Sequence, residues 1–348
     1  MKINKLIGVM LIFSCIIMLN GCKKNQYKAY SITYFDYFDT VTTIIGYEKK
    51  EEDFNERVIY IENLLKEYHR LYDIYDSYEN INNLYTLNQE VGNEVVVDQK
   101  IIDLLNYAID MYNQTSGMMN IAMGSVLKLW HDEREYASYH PNLEGKLPLM
   151  SDLEEAAKHT NILDIVIDDE RNTVLLKDKL MRLDVGAIAK GYATEEIAKK
   201  LQSLGVSSYM LNVGGNIRLI GLKANGEKWK VGIQDPDESA TNNNIAILEL
   251  QDFAIVTSGS YQRYYYVDGV KYHHIIDPKT LMPENKYVSV SVVAKDSALA
   301  DALSTALFNL SLDDGKALIK DLNDVYVMWI DMDNKIHYSS GFENFLIE

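Results

Sequence analysis

The strand-rich stretch from residue 208 to residue 294 limits the fold more than any other part of this sequence. Apolar and β-branched runs alternate there with Gly, Asn and Asp turns, a pattern typical of short strands. Helical spacing of apolar residues on both sides of it predicts helices over 55–73, 98–112, 188–203, 297–310 and 313–321. Further strands are predicted at 40–47, around a turn at 168–172 and in a last hairpin at 333–334, and a capping box at Ser151 and Glu154 predicts one more helix. Helices that flank a largely antiparallel strand block predict a single domain of the α+β class.

The N-terminus has the order of a bacterial lipoprotein signal. Lys2 and Lys5 precede an apolar run from residue 6 to residue 19, and Cys22 follows at once. A run this short cannot span a hydrocarbon core that needs about 20 residues, so a cleaved signal peptide is favoured over an uncleaved anchor. We therefore expect a signal peptide over 1–21, a tether over 22–30 that is lipidated at Cys22, and a folded domain over 31–348. The acyl chains would hold the protein on the cell membrane, on its extracytoplasmic side.

Composition narrows the chemistry further. Cys15 and Cys22 are the only cysteines, so a chain that begins at Cys22 has no disulfide and no cysteine metal site, and a metal must be held by oxygen or histidine. The net charge of −17 argues against nucleic acid as a partner. An anionic ligand must then be held by local devices, namely a metal, a lysine or backbone amides.

Two of the four candidate clusters contain glycine next to polar groups. In the first, Asp184 precedes small residues and Lys190 at the start of a predicted helix, where amides and an ammonium could meet a phosphate. A purely structural role explains the same residues equally well: small residues allow close packing of a strand and a helix, and the lysine is then simply exposed. The second cluster is the Gly214-Gly215 pair between two apolar strands, which more often marks a turn or bulge than a ligand site.

The other two clusters hold a histidine and a carboxylate. His274 lies shortly before an Asp-Pro turn at Asp277, where it could act as a base or simply be structural. Asp301 and Thr305 are an i,i+4 pair on a predicted helix rich in Ala and Leu. A buried carboxylate needs a partner, and a hard cation with oxygen ligands is one answer; a bond from Thr back to its own helix is the alternative.

The order and spacing of these clusters carry more information than any one of them. DVGAIAKGYA, LNVGGNI, WKVGIQDP, TSGSY, HHIIDPKT and ADALSTAL follow one another from residue 184 onward. This set resembles the FAD:protein FMN transferase family of ApbE-like lipoproteins, over about residues 30–340. The resemblance implies an enzyme that binds FAD and Mg²⁺, attaches FMN through a phosphoester to a Thr or Ser of a target flavoprotein, and releases AMP. It also implies targets among the subunits of Rnf- and Nqr-type membrane redox complexes.

The resemblance assigns roles residue by residue. It implies metal ligands at Asp301, Thr305 and the Ala187 carbonyl, with Ser304 where some relatives have an acid near the metal. It implies flavin or phosphate contacts at Phe38, Tyr78, Met118, Met119, Asn120, Asp184, Lys190 and Ile275. His274 matches a histidine proposed as catalytic, and His274 or Asp277 is expected to accept the proton of the incoming hydroxyl.

This sequence departs from the family pattern at four places. Phe38-Asp39 replaces Met-Gly, Asn120 and Asn216 each replace an acid, and Leu281 replaces a glycine. Two alternative functions stay open: an FAD pyrophosphatase, in which water replaces the protein acceptor, and a non-catalytic lipoprotein that only binds FAD.

Overall fold

The computed structural model describes residues 27–237 and 239–347, and in this part of the chain an eight-stranded antiparallel sheet is the centre of the fold. The strands are β1 (Lys28–Tyr37), β2 (Thr40–Glu48), β3 (Glu94–Val96), β4 (Ile165–Asp168), β5 (Thr173–Leu176), β6 (Ser208–Val213), β7 (Asn216–Gly221), β8 (Trp229–Gln234), β9 (Asn244–Leu250), β10 (Ala254–Gly259), β11 (Tyr264–Val267), β12 (Val270–His273), β13 (Tyr287–Ala294), β14 (Tyr326–Asp331) and β15 (Ile336–Tyr338). The large sheet has the order β1-β2-β6-β7-β10-β13-β14-β15, and β3-β5-β4, β8-β9 and β11-β12 form smaller sheets. Its neighbouring strands pair antiparallel.

Helices surround this sheet as the α+β class requires. They are α1 (Glu51–Tyr72), α2 (Leu84–Gln89), α3 (Gln99–Gln114), α4 (Gly124–Tyr139), α5 (Met150–Ala157), α6 (Ala189–Ser203), α7 (Ser297–Asn309) and α8 (Leu312–Ile319), with 3₁₀ turns at Ile162–Asp164 and Phe342–Phe345. In the described part of the chain, no helix is long and apolar enough to cross a membrane.

The central strands of the large sheet, such as β13 and β14, are buried on both faces, which explains why they read as nearly continuous apolar runs. On β13, Val292 packs into the core that the helices share, and the next residue, Val293, packs into a second core beneath β8 and β9. Successive side chains on a strand point to opposite faces, so a strand covered on both sides needs apolar residues at every position. A third, smaller core joins α4 and α5 to the β11–β12 hairpin through Trp130 and Tyr265.

Most predicted elements are confirmed, with differences at their ends. Asp98 caps α3 by accepting a hydrogen bond from the amide of Lys100 at 2.9 Å, and α1 begins at Glu51, ahead of the predicted start, with three acidic residues in its first turn. The capping box at Ser151 is wrong: α5 begins one residue earlier, at Met150, after an N-cap at Leu149 that makes no side-chain bond. The strands β1 and β3 and the helices α2 and α4 were not predicted.

The predicted N-terminal segments fall partly outside the described residues. The expected signal peptide over 1–21 and the expected lipidation site Cys22 lie there, as does most of the expected tether. Residues 28–30 of that tether lie in β1, where Lys28 pairs with Glu48 on β2.

Candidate functional site

A cavity of about 620 Å³ opens where several chain turns meet the helix pair α6–α7. Its walls are the β1–β2 turn, the β6–β7 turn, the end of β10, the segment from 274 to 278, and the inner face of α4. A space of this size suits a nucleotide-sized ligand. The cavity gathers ten of the predicted site residues: Met118, Met119, Asn120, Asp184, Ala187, Lys190, His274, Ile275, Asp301 and Thr305.

The helices α6 and α7 pass unusually close together because Gly191 has no side chain. A Cβ built at Gly191 would lie 2.4 Å from the Cβ of Asp301 and 2.4 Å from the carbonyl oxygen of Ser297, both of which would clash. The close approach lets the Gly191 amide donate a 2.8 Å hydrogen bond to Oδ2 of the buried Asp301 carboxylate. The run of small residues in the first cluster is therefore needed for helix packing, and it also positions an acid.

Three oxygen atoms beside this contact suit a hard cation. Ala187 lies just before Ile188, the N-cap residue of α6, so its carbonyl is not an acceptor within that helix. The Gly191 amide bonds to Asp301 instead. In the part of the chain that the structure describes, neither Oδ1 of Asp301 nor the Thr305 hydroxyl has a hydrogen-bond partner, and Ala187, Asp301 and Thr305 all line the cavity. Burial raises the pKa of Asp301, while Lys190 and the Gly191 amide act in the opposite direction.

The donor set fits magnesium better than a transition metal. Nowhere among residues 27–237 and 239–347 do three or more His, Asp or Glu side chains converge as a metal site would need. Asp301 would supply the buried carboxylate of this set, with hydroxyl, carbonyl and substrate oxygens beside it. Mg²⁺ is commonly held in this way, by one or two carboxylates and the phosphates of a substrate.

Positive charge enters the cavity from opposite walls. Lys190 donates to the carbonyl of Gly186 at 3.2 Å, and Gly186 in turn donates its amide to Asp184 at 2.8 Å. Arg134 on α4 and Arg263 before β11 also line the cavity, and neither forms a salt bridge with any carboxylate that the structure describes. Burial and the neighbouring Arg263 lower the pKa of Arg134. In a chain with 51 acidic residues, two cavity arginines without a carboxylate partner favour an anionic ligand.

The Nε2 atom of His274 is free to accept a hydrogen bond or a proton from a ligand. Its Nδ1 lies 3.2 Å from the carbonyl oxygen of Arg263, and because a carbonyl only accepts, Nδ1 must carry the proton and Nε2 the lone pair. Burial, with Arg263 and Arg134 nearby, lowers the pKa of His274 to about 3. The ring is therefore neutral at pH 7 and can accept a proton. His273 beside it instead donates from Nε2 to the carbonyl of Glu284 at 2.6 Å and accepts at Nδ1 from the amide of Ile275.

Four predicted site residues lie outside the cavity, each for a physical reason. Phe38 occupies the β1–β2 turn with a φ of 55° and packs its ring on His69. Tyr78 donates its hydroxyl to Asp73 at 2.7 Å. The described structure places Tyr75 on the cavity wall instead.

The side chains of the remaining two residues, Asp277 and Ser304, already form hydrogen bonds elsewhere. Asp277 accepts from the amide of Lys279 at 2.7 Å and closes a turn, so its carboxylate is used structurally. Ser304 is fully buried and bonds to Ser258 and to the carbonyl of Asp301, both at 2.8 Å, which directs it toward β10. Ser304 therefore supports the residue that carries the carboxylate rather than facing the cavity.

The wall formed by α4 was missed from sequence. Leu127, Trp130, His131 and Arg134 all face the cavity from this helix. Their spacing of three and four residues is the helical signal that could have revealed it. The mixture of charged and aromatic residues in the segment hides the period, because the face that lines a polar cavity is not apolar.

Comparison with known proteins gives consistent results. A family model described as the ApbE family matches residues 31–329. The FAD:protein FMN transferase of Treponema pallidum is 34% identical over 273 residues, covering 74% of this chain and 73% of that protein. That of Vibrio cholerae is 33% identical over 294 residues, covering 82% and 83%. The crystal structure of the ApbE protein from Thermotoga maritima is similar to this fold with a TM-score of 0.80 at 28% identity, covering 92% of this chain and 100% of that one. The flavin transferase ApbE of Vibrio cholerae gives a TM-score of 0.76 at the same identity and coverage.

Proposed function

Because this chain belongs to the ApbE family, we propose that it is an FAD:protein FMN transferase. It would bind FAD with Mg²⁺, attach FMN through a phosphoester to a Thr or Ser of a target flavoprotein, and release AMP. The observation that carries the proposal is the joint placement of a cation-type oxygen set, a lysine and a neutral histidine in one cavity. Phosphoryl-group transfer from an anionic donor needs positive charge to stabilise the phosphates and a group that can accept the proton of the nucleophile.

The residues divide the work between binding and proton transfer. Asp301, Thr305 and the Ala187 carbonyl would hold Mg²⁺, and Lys190, Arg134 and Arg263 would hold phosphate oxygens of FAD. A divalent cation bound there would offset phosphate charge and stabilise the departing AMP. The acceptor hydroxyl forms a bond to the phosphorus on the FMN side, the pyrophosphate bond breaks, and the hydroxyl proton passes to Nε2 of His274.

The geometry around His274 supports its role as the base. Arg263 fixes the ring through its carbonyl oxygen, so Nε2 keeps one orientation and one protonation state. The low pKa leaves Nε2 unprotonated at pH 7, and the negative charge of a phosphate beside the ring would raise that pKa toward the range in which a general base works best. Asp277 is the weaker candidate, because the Lys279 amide already occupies its carboxylate.

The direct test is to mix a soluble form that begins at residue 23 with FAD, Mg²⁺ and a candidate Rnf-type flavoprotein subunit, and to weigh the acceptor by mass spectrometry. We expect the acceptor to gain one FMN while AMP is released. Asp301→Asn should abolish magnesium-dependent transfer, and His274→Gln should lower kcat by roughly a hundredfold or more. The matched control Asp333→Asn, at an exposed hairpin position, should transfer at the wild-type rate.

Two other outcomes correspond to the alternative functions. AMP release without a modified acceptor would make water the nucleophile and the chain an FAD pyrophosphatase. Stable FAD binding with no AMP would make it a flavin-binding lipoprotein. An Asp301→Asn variant with full magnesium-dependent activity would contradict the proposed ligand.

We further propose that the protein works on the extracytoplasmic side of the cell membrane, attached through lipid on Cys22, with Rnf- or Nqr-type subunits as acceptors. The support is the order of charges, apolar run and cysteine at the N-terminus. Cys22→Ser should move the expressed protein from the membrane fraction to the soluble fraction, as judged by immunoblotting. A Cys15→Ser control should stay with the membrane, and equal distribution of the Cys22 variant and the wild type would contradict the anchor.

A further inference from the structure

A buried ion pair outside the cavity connects the two helices that carry its oxygen ligands. Arg218 on β7 and Glu195 on α6 are 5% and 3% exposed, and Nε of the arginine lies 2.8 Å from Oε2 of the glutamate. The same Oε2 accepts a 2.7 Å hydrogen bond from the amide of Ser297, the first residue of α7. One carboxylate oxygen thus joins β7, α6 and the start of α7.

The contacts between α6 and α7 repeat with a step of one helical turn. Glu195 meets Ser297, and one turn away Gly191 meets Asp301. The numbers rise along α6 as they fall along α7, so the two helices run antiparallel in this register. Thr305 lies one further turn along α7, and Ala187 lies just before the N-cap of α6; both line the cavity. The two side-chain ligands of the candidate cation site therefore follow along α7 from the residue that the ion pair holds.

We propose that the Arg218–Glu195 pair is a positioning pair, which sets the register of α7 on α6 and so holds Asp301 and Thr305 where a divalent cation can bind. The inference rests on the proposed function, whose metal it concerns. Each residue of slip along a helix moves a side chain by about 1.5 Å and turns it by about 100°. A slip of one residue would take both oxygen ligands away from the Ala187 carbonyl.

Because the pair is buried, it is expected to add little to the free energy of unfolding. A buried pair gains little over apolar side chains of similar size, because removing two charges from water offsets their attraction. Removing only one member, by contrast, leaves a buried charge without its partner. Stability and register can therefore be changed separately by two different substitutions.

The first variant keeps the shared oxygen and removes the charge. In Glu195→Gln, the amide oxygen can still accept from Nε of Arg218 and from the Ser297 amide, so register is retained. Arg218 loses its counter-charge and the 3.4 Å bond from Nη2, which would face the new amide nitrogen. We expect a lower melting temperature with Mn²⁺ affinity within about twofold of the wild type, since the ligand geometry is unchanged. Mn²⁺ binding to the protein alone, followed by electron paramagnetic resonance, requires neither FAD nor an acceptor.

The second variant does the reverse. The double substitution Glu195→Met, Arg218→Met removes both charges and the Ser297 anchor while filling the same space. We expect a melting temperature close to that of the wild type and Mn²⁺ affinity lower by roughly tenfold or more, the usual cost of losing outer support of a metal site. The control Phe342→Leu, in the second core on the far side of the sheet, should lower the melting temperature without changing Mn²⁺ affinity.

The outcomes are separable. Wild-type Mn²⁺ affinity in the folded double variant would overturn the positioning role and leave the proposed function intact. Affinity that simply follows melting temperature across all the variants would also overturn it, because the pair would then be only structural. A wild-type chain that transfers FMN at the full rate after chelation of all divalent cations would overturn both the metal assignment and this inference.

Discussion

At the scale of single residues, Arg134 offers the cleanest test of how an acidic protein holds an anionic substrate. Its guanidinium lines the cavity, contacts Nδ1 of His131 at 2.9 Å and has no carboxylate partner among the described residues. Arg134→Gln should raise the KM for FAD about tenfold with a smaller change in kcat, because a hydrogen bond to a charged group contributes about 1.5–3 kcal/mol. Steady-state kinetics at varied FAD measures this.

The matched control is Arg171→Gln. Arg171 is an exposed arginine that pairs with Glu94 and Asp168 away from the cavity, and its loss should leave both kinetic constants unchanged. If Arg134→Gln bound FAD as tightly as the wild type, the cavity arginines would serve a purpose other than phosphate binding.

Residue identities in the site could be predicted where a regular period placed them. Asp301 and Thr305 were expected on one helix face, and both line the cavity from α7. Tyr78 and Tyr75 lie in an irregular segment between helices, where no period indicates which ring turns inward. Only tertiary packing decides that choice, so the sequence could not.

Two residues near the candidate site have left-handed backbones. The family resemblance implies glycine at Asp39 and Leu281, and their φ angles are 49° and 61°. Only glycine adopts this region without cost, so a bulky side chain there carries strain. Asp39 lines the cavity and Leu281 ends the turn beside it, so both strained residues border the candidate site.

At the scale of elements, the α6–α7 contact depends on a single missing side chain. Gly191→Ala would place a Cβ 2.4 Å from Asp301 and from the carbonyl of Ser297, so the helices must separate. We expect the free energy of unfolding to fall by about 1–3 kcal/mol, as is usual for overpacking. Mn²⁺ binding should weaken as well, since the amide that orients Asp301 moves. Urea denaturation and metal titration measure the two effects.

Another helical glycine provides the comparison. A Cβ at Gly315 of α8 would meet only side-chain atoms, the nearest at 3.3 Å. Gly315→Ala should leave stability unchanged or slightly higher, because alanine favours helix. Equal effects at the two positions would contradict the close-approach argument.

Helices could be predicted from sequence when one whole face packs against the core, because that face is then apolar at helical spacing. The helices α1 and α3 have one apolar face and were predicted, whereas α4 shares its inner face between a small core and a polar cavity. The strand β1 was not predicted either. Lys28 and Ala29 are exposed at the edge of the sheet and show no apolar alternation.

At the scale of the whole molecule, the large sheet, whose central strands are buried on both faces, supplies rigidity while its turns supply the site. The turns after β1 and β6 and the end of β10 lie at the same end of the sheet, where residues of α6 and α7 also line the cavity. This separation explains why the regular strands indicate the fold class, whereas the clusters from which chemistry was inferred lie at their turns and ends. The residues of the candidate site lie where the hydrogen-bonded pairing of the strands ends.

Acid sensitivity belongs to the whole molecule and can be predicted from His273. This ring is buried, bonded through both nitrogens and packed edge-on against Phe308, and burial lowers its pKa to about 4. The unfolded chain takes up a proton on this histidine below about pH 6.5, whereas the folded chain does not until about pH 4. Stability is therefore lost as pH falls through that window. From pH 7 to pH 5 this one group should lower the free energy of unfolding by about 2 kcal/mol. Urea denaturation at the two pH values should show a correspondingly smaller loss in His273→Gln, which cannot titrate; an equal loss in both proteins would show that His273 is protonated in the folded state.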